Sequence, residues 1–197
     1  WRVHINNDNG EFVTRNYGDG VWTPGDKPLH TPVTGDFNND GYSDIAYFGK
    51  CGTNSEDCWR VHLNNKNGGF ARRNYGDGVW TSGDKQIHTP ISGDFNNDGY
   101  SDVAYFGKCG TNSEDCWRVH INNKNGKFVA KNYGDGVWTS GDKQIHTPVS
   151  GDFNNDGYSD IAYFGKCGTN SEDCWRVHIN NKNGKFVAKN YGDKVWY

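Results

Sequence analysis

Polar and apolar residues alternate along much of this chain with the period of two that is typical of half-buried β-strands. The clearest case is Trp117-Arg-Val-His-Ile-Asn-Asn, and the Asn125-Gly126 pair that follows predicts a tight hairpin turn, because both residues tolerate positive φ angles. No segment shows the period of 3.6 that is expected of a helix. Four strands are therefore predicted in this part of the chain, at residues 117–123, 127–133, 145–151 and 160–165.

The same four-strand pattern recurs every 58 residues, and the units open at Trp1, Trp59, Trp117 and Trp175. Four short strands per repeat without a helix are typical of a propeller blade, which buries its apolar face only against a neighbouring copy. We predict an all-β fold, a β-propeller of four-stranded blades within one repeat domain. The predicted bounds are a half-unit hairpin at 1–23 and blades at 24–81, 82–139 and 140–197.

Three blades and a hairpin are fewer than the four to eight blades of known propellers. A linear stack and a place within a longer protein are both open alternatives. Because an exposed blade edge favours pairing, we expect a homo-oligomer that closes the propeller. The chain contains no methionine and starts at Trp1, which predicts a processed or trimmed chain or a fragment.

Each full unit carries an acidic loop, and in the first one Asp36, Asn38, Asp40 and Asp44 stand at loop positions 1, 3, 5 and 9. This spacing suits Ca²⁺, which takes six to eight oxygen ligands from carboxylates, amides and a main-chain carbonyl. A plain hairpin turn would explain Asp40-Gly41 but not the other oxygens, and such close carboxylates repel one another without a cation. The loop resembles the start of an EF-hand loop, although no helix flanks it.

The sequence Gly35-Asp-Phe-Asn-x-Asp-Gly-x-x-Asp-Ile-Ala46, with Asn67-Gly-x-Phe70 further on, resembles the FG-GAP/VCBS repeat family. These repeats build the integrin α-subunit propeller and many secreted bacterial and fungal propellers. The resemblance recurs at 93–104 and 151–162, and it implies a propeller with about three structural Ca²⁺ per chain. On this resemblance the metal ligands would be Asp36, Asn38, Asp40, Tyr42 (main-chain carbonyl), Asp44, Asp94, Asn96, Asp98, Tyr100, Asp102, Asp152, Asn154, Asp156, Tyr158 and Asp160.

Six cysteines fall in pairs separated by six residues, a spacing that is not part of the general family pattern. An even count at a fixed local spacing favours one disulfide per unit and an oxidising compartment, and hence a secreted protein. Zinc is the alternative, but its usual cysteine knuckles are tighter. The predicted disulfide residues are Cys51, Cys58, Cys109, Cys116, Cys167 and Cys174.

Composition and charge narrow the possible partners. The formal net charge is −3 with interspersed signs and no basic stripe, which argues against nucleic acid as a partner. No run of 18 apolar residues is present, so we expect no membrane insertion. Mean hydropathy is low, but 15% of the residues are aromatic, and we therefore expect a folded core rather than disorder.

The near-identity of the units favours repeated binding over catalysis. Each histidine is one copy of a repeat, no unit is specialised, and no known catalytic motif is present, so we predict that the protein is not an enzyme. Identical sites suit multivalent binding, and an aromatic face beside polar groups suits sugars, which favours a lectin. The candidate ligand-binding residues are Tyr17, Trp22, Asp26, His30, Tyr75, Trp80, Asp84, His88, Tyr133, Trp138, Asp142 and His146.

Two other functions stay open. The tryptophans of this set suit packing between blades as well as sugar contact. A protein-binding adhesion or scaffold module, or a non-catalytic appendage of a secreted enzyme, would have the same repeats.

Overall fold

The computed structural model describes most of the chain, and within these parts every regular element is a β-strand. In the same parts of the chain, no helix has the length and apolar character needed to cross a membrane. The described residues are 1–7, 9–17, 31–51, 56–76, 88–109, 114–134, 147–167 and 172–191.

The strands form one hairpin and three four-stranded antiparallel sheets, each a simple meander in chain order. The hairpin pairs β1 (Arg2–Asn6) with β2 (Phe12–Asn16). The first blade contains β3 (Val33–Gly35), β4 (Asp44–Cys51), β5 (Glu56–Asn64) and β6 (Phe70–Asn74). The second blade contains β7 (His88–Gly93), β8 (Asp102–Cys109), β9 (Glu114–Asn122) and β10 (Phe128–Asn132). The third blade contains β11 (Val149–Gly151), β12 (Asp160–Cys167), β13 (Glu172–Asn180) and β14 (Phe186–Tyr191).

The all-β fold class and its repeated four-stranded blades are thereby confirmed. The strand bounds differ from the sequence prediction at two points. The first strand of the third blade, predicted at 145–151, begins only at Val149, after Pro148, which has no N–H for the ladder. The second and third strands of each blade pair beyond the expected tryptophan, as far as Cys109 opposite Glu114 in the second blade, because the ladder continues into the cysteine segment. The β7–β8 ladder shifts register between His88 and Ile91, where Pro90 has no N–H to donate.

The apolar core lies between blades rather than inside one sheet. Trp59, Val61 and Phe37 of the first blade share a buried cluster with Tyr105 and Phe128 of the second. Equivalent residues join the second blade to the third, including Trp117 and Phe186. Each blade therefore buries its apolar face only against its neighbour, as the repeat predicts.

A hydrogen-bond relay crosses every boundary between these elements. The Trp59 indole Nε1 donates to His120 Nδ1 at 2.9 Å, and His120 Nε2 lies 3.3 Å from the Tyr105 hydroxyl. Because Nδ1 accepts a hydrogen bond, the proton of the neutral ring is on Nε2, which donates to the tyrosine oxygen. The relay recurs as Trp1, His62 and Tyr47 and as Trp117, His178 and Tyr163.

Burial keeps these histidines neutral. It lowers the pKa of His62 to about 4, with a smaller contribution from the Arg60 charge, and the pKa of His120 and of His178 to about 3. The ordinary pKa of 6.5 holds in the unfolded chain, so the unfolded state takes up protons first as the pH falls. The stability linked to neutral histidine is therefore present above about pH 6.5 and is lost between that pH and the folded-state pKa.

We predict that the His120→Gln variant flattens this acid dependence. In the wild type, each buried histidine should lower the free energy of unfolding by about 1.4 kcal/mol per pH unit below about pH 6.5. Urea unfolding between pH 7 and 5 measures the slope. Equal slopes in wild type and His120→Gln would contradict the role of this ring.

Candidate metal centre

The acidic loop joins the first two strands of each blade. In the first blade it runs from Asp36 to Ser43, between β3 and β4, and its sharp turn places Asn39 at φ 55° and Gly41 at φ 83°. Glycine and asparagine are the residues that adopt this left-handed region most easily. The loop repeats at 94–101 and 152–159 with the same two positive angles in each copy.

Carboxylates hold the loop in a tight curl. The Asp36 carboxylate accepts the N–H groups of Asp40 at 3.0 Å and Gly41 at 2.7 Å, and Asp40 Oδ1 accepts the N–H of Tyr42 at 3.0 Å. Asp40 Oδ2 also accepts a hydrogen bond from the Asn38 amide Nδ2 at 3.1 Å. The acidic side chains of loop positions 1 and 5 therefore lie on the inner side of one turn, together with Asn38.

Asp44 ties the loop to the sheet. It is fully buried, and its two carboxylate oxygens accept the N–H of Phe37 at 2.9 Å and of Asn64 at 2.7 Å. Its pKa is raised to about 6, chiefly by burial and to a smaller extent by the charges of Asp40 and Asp36, against the two backbone hydrogen bonds that lower it. The corresponding pKa of Asp102 is raised to about 8, first by burial. Within each loop, the carboxylate at position 9 is therefore the acidic group most removed from water.

One side-chain oxygen of the loop supports the presence of a hard cation. Within the described ranges, no three His, Cys, Asp or Glu side chains converge as a formed metal cluster, since the loop carboxylates bind backbone N–H groups. Asn38 Oδ1 is nonetheless buried with no hydrogen-bond partner, and so is Asn96 Oδ1 in the second loop. A buried carbonyl oxygen without a donor is costly, and a calcium ion would satisfy it.

A lysine that the sequence analysis did not single out stands beside each loop. Lys66 Nζ lies 3.5 Å from Asp40 Oδ2 and 4.9 Å from the centre of the Tyr42 ring. Lys66 belongs to the β5–β6 turn, where its φ is 65°. Lys124 and Lys182 repeat both contacts in the other blades. The signal was present in the recurring Asn-Lys-Asn-Gly turn, but only the fold brings that turn to the acidic loop.

Neighbouring loops are joined to each other. The Ser101 N–H donates to the Asp36 carbonyl at 2.8 Å, and Ser101 Oγ accepts the Asp36 N–H at 2.9 Å. The Asn122 amide adds a bond from the β9 end to the Phe37 carbonyl at 2.8 Å. Between the second and third blades, the Ser159 N–H and the Asn180 amide repeat the bonds to the Asp94 and Phe95 carbonyls. A shift in the backbone of one loop would therefore also displace the neighbouring loop.

The described part of the predicted ligand-binding set lies at the boundaries between blades. Tyr75 and Tyr133 are buried, with their rings over Gly126 and Gly184 of the next blade, and Tyr17 packs half-buried over Gly68. His88 is described only as a backbone position in β7. The remaining predicted residues lie outside the described residues: Trp22, Asp26, His30, Trp80, Asp84, Trp138, Asp142 and His146.

The described cysteine side chains are Cys58, Cys116 and Cys174, which are buried and disulfide-bonded. The other three, Cys51, Cys109 and Cys167, end the second strand of each blade, and their side chains lie outside the described set.

A polar cleft of about 330 Å³ opens between the second and third blades. It combines residues of both acidic loops, the edge strand of one blade and the hairpin turn of the next. Its lining consists of Phe95, Asn96, Lys131, Asn132, Tyr133, Tyr158, Lys182, Asn183 and Gly184. The lining of this cleft thus includes tyrosine, asparagine and lysine residues beside the loops.

Comparison with known families agrees with this geometry. The profile of the FG-GAP-like repeat matches residues 36–105 and 94–163, which together span well over half of the chain. The chain belongs to the FG-GAP-like repeat family. Repeats of this type form β-propeller-like modules and are generally non-catalytic. No curated protein matches the chain.

We predict that Asn122→Ala destabilises this FG-GAP-like chain more than Asn64→Ala does. Both asparagines accept the N–H of the lysine two residues on, but Asn122 also donates to the Phe37 carbonyl of the preceding blade, whereas Asn64 donates to Ser43 of its own blade. Loss of the bond between blades should cost about 1–3 kcal/mol beyond the Asn64→Ala effect. Urea unfolding of the two variants measures the difference, and equal losses would contradict the contribution of the cross-blade bond.

Proposed function

We propose that the protein is a secreted, calcium-stabilised module that binds carbohydrate at several equivalent sites, and that it acts as a lectin rather than as an enzyme. The observation that carries the proposal is the polar cleft between blades, which lies beside the acidic loops in a repeated structure. The disulfide-bonded cysteines support an extracellular location, because such bonds persist in oxidising compartments.

In this proposal each acidic loop holds one Ca²⁺. In the second loop the ligands are the side chains of Asp94, Asn96, Asp98 and Asp102 with the Tyr100 carbonyl, and the other loops use the same positions. The bound ion supplies positive charge to the acidic loop and a partner for the buried asparagine oxygen. Its role is structural, since the described histidines are occupied in the relay or lie away from the loops.

Calcium titration tests this part of the proposal. Calorimetry should give about three sites per chain, and a chelator should lower the melting temperature, because a ligand that binds only the folded state at 100 times its Kd stabilises that state by about 2.7 kcal/mol per site. Asp98→Asn should remove one site. Glu11→Gln, which removes one negative charge from the hairpin, is the matched control and should keep all the sites. Absence of calcium binding by the folded wild type would overturn the assignment.

The cleft has the chemistry that sugars require. Tyr158 contributes aromatic surface for the apolar face of a sugar ring, while Asn183 and Lys182 offer donors to its hydroxyl groups. The Tyr100–Lys124 pair reproduces the Tyr158–Lys182 pair at the preceding boundary. Equivalent clefts along one chain would turn a modest affinity for a single sugar into avidity for a surface that displays many copies.

A glycan array followed by titration of the best sugar tests the lectin proposal. Replacing Lys124 and Lys182 with alanine should weaken binding at least tenfold, because a hydrogen bond to a charged group contributes about 1.5–3 kcal/mol. Replacing Lys127 and Lys185 with alanine removes the same charge from the same two turns, but outside the cleft lining, and should leave binding unchanged. A blank array from protein shown to be folded would reject the lectin proposal and favour a protein partner.

A further inference from the structure

The two outermost faces of the described structure expose residues whose copies are buried elsewhere. On the third blade, Phe153 is 45% exposed and Trp175 is 37% exposed, whereas their copies Phe95 and Trp117 are at most 1% exposed. On the hairpin, Phe12 is 68% exposed, whereas its copy Phe128 is buried. We call the first surface the trailing face (Phe153, Trp175, Tyr191) and the second the leading face (His4, Phe12).

The contact between the first and second blades shows how two such faces fit. The Phe128 ring packs against Phe37 and Tyr75, with ring centres 6.1 and 5.5 Å apart, and the Phe128 N–H donates to the Tyr75 carbonyl at 2.6 Å. The Trp59 indole donates to His120 beside these rings. The third blade repeats the arrangement, with Phe186 against Phe95 and Tyr133.

The leading and trailing faces carry the two halves of this contact. Phe153, Trp175 and Tyr191 are the copies of Phe37, Trp59 and Tyr75, and His4 and Phe12 are the copies of His120 and Phe128. The trailing face therefore presents an indole donor and two aromatic rings that can pack around a third. The leading face presents an imidazole acceptor and a phenyl ring. Both faces are exposed in a single chain, so they do not cover each other within it.

We propose that the trailing face binds the leading face of a second copy of this chain. The Trp175 indole donates to Nδ1 of the partner's His4, in place of the Thr14 hydroxyl that lies 3.3 Å from this atom in the single chain. The phenyl ring of the partner's Phe12 fills the space between Phe153 and Tyr191. The contact reproduces the aromatic packing and the indole–imidazole bond of the boundaries between blades, although the hairpin has no copy of Tyr105.

Such a contact joins unlike faces. A heterologous interface leaves one free face at each end of a dimer, so association continues until a ring closes or a filament forms. The average mass should therefore rise with concentration up to the assembly that closes the ring or into a filament, whereas contact between two like faces would give a dimer only.

Sedimentation velocity on the full chain in calcium-containing buffer tests the proposal. The wild type should associate with rising concentration, and Phe12→Ser and Tyr191→Ser should each shift this association at least tenfold in concentration. The matched controls are Val13→Ser and Val187→Ser. These valines are exposed, but their copy Val129 stays exposed between two blades, so they lie outside the proposed interface. Circular dichroism should show that all four variants keep the wild-type fold.

A mixing experiment distinguishes unlike from like faces. The Phe12→Ser chain keeps an intact trailing face and the Tyr191→Ser chain keeps an intact leading face, so an equimolar mixture should form a dimer that grows no further. A wild type that stays monomeric at high concentration would overturn the proposal. So would association that Phe12→Ser leaves unchanged, or a mixture that remains monomeric while the wild type associates. None of these results depends on sugar binding, so the lectin proposal stands or falls separately.

Discussion

The contact between neighbouring blades is the interaction on which the rest of this structure depends, because a single meander of four strands has no second layer of its own. Trp59 is fully buried only because the second blade covers it, and its indole N–H then needs an acceptor that water cannot supply. His120 meets this need only as a neutral ring. The histidine must therefore be both buried and uncharged. The packing of the aromatic side chains and the protonation state of the histidine consequently depend on each other.

The acidic loops depend on the same contact. Asp102 lies in the middle blade, and burial raises its pKa to about 8, whereas the pKa of Asp44 in the first blade is raised only to about 6. The first loop has only the hairpin on one side, but the second lies between two complete blades. Hydrogen bonds from Ser101 and Asn122 to the backbone of the first loop connect the two loops directly. Blade packing thus determines how far the carboxylate at position 9 of each loop is removed from water.

Alternation of residues along the chain was enough to predict the hairpins, the four-stranded unit and the place of the acidic loops. It could not predict the Trp59–His120 bond, which joins residues 61 positions apart, because a period of two shows which face is buried but not what covers it. The contact of Lys66 with Asp40 was missed for the same reason, since it joins two turns of one blade across the fold. The extension of β8 to Cys109 also went unpredicted, because strand pairing there has no alternation to mark it.

The position of the cleft links the two halves of the proposed function. Asn96 belongs to the loop of the second blade and Tyr158 to that of the third, and both residues line the same space between the blades. The Asn96 side-chain oxygen and the Tyr158 carbonyl are also two of the proposed calcium ligands. An ion in either loop would therefore fix the backbone that forms one wall of the cleft. Loss of calcium would then weaken sugar binding through disorder of that wall, even where the cleft side chains are intact.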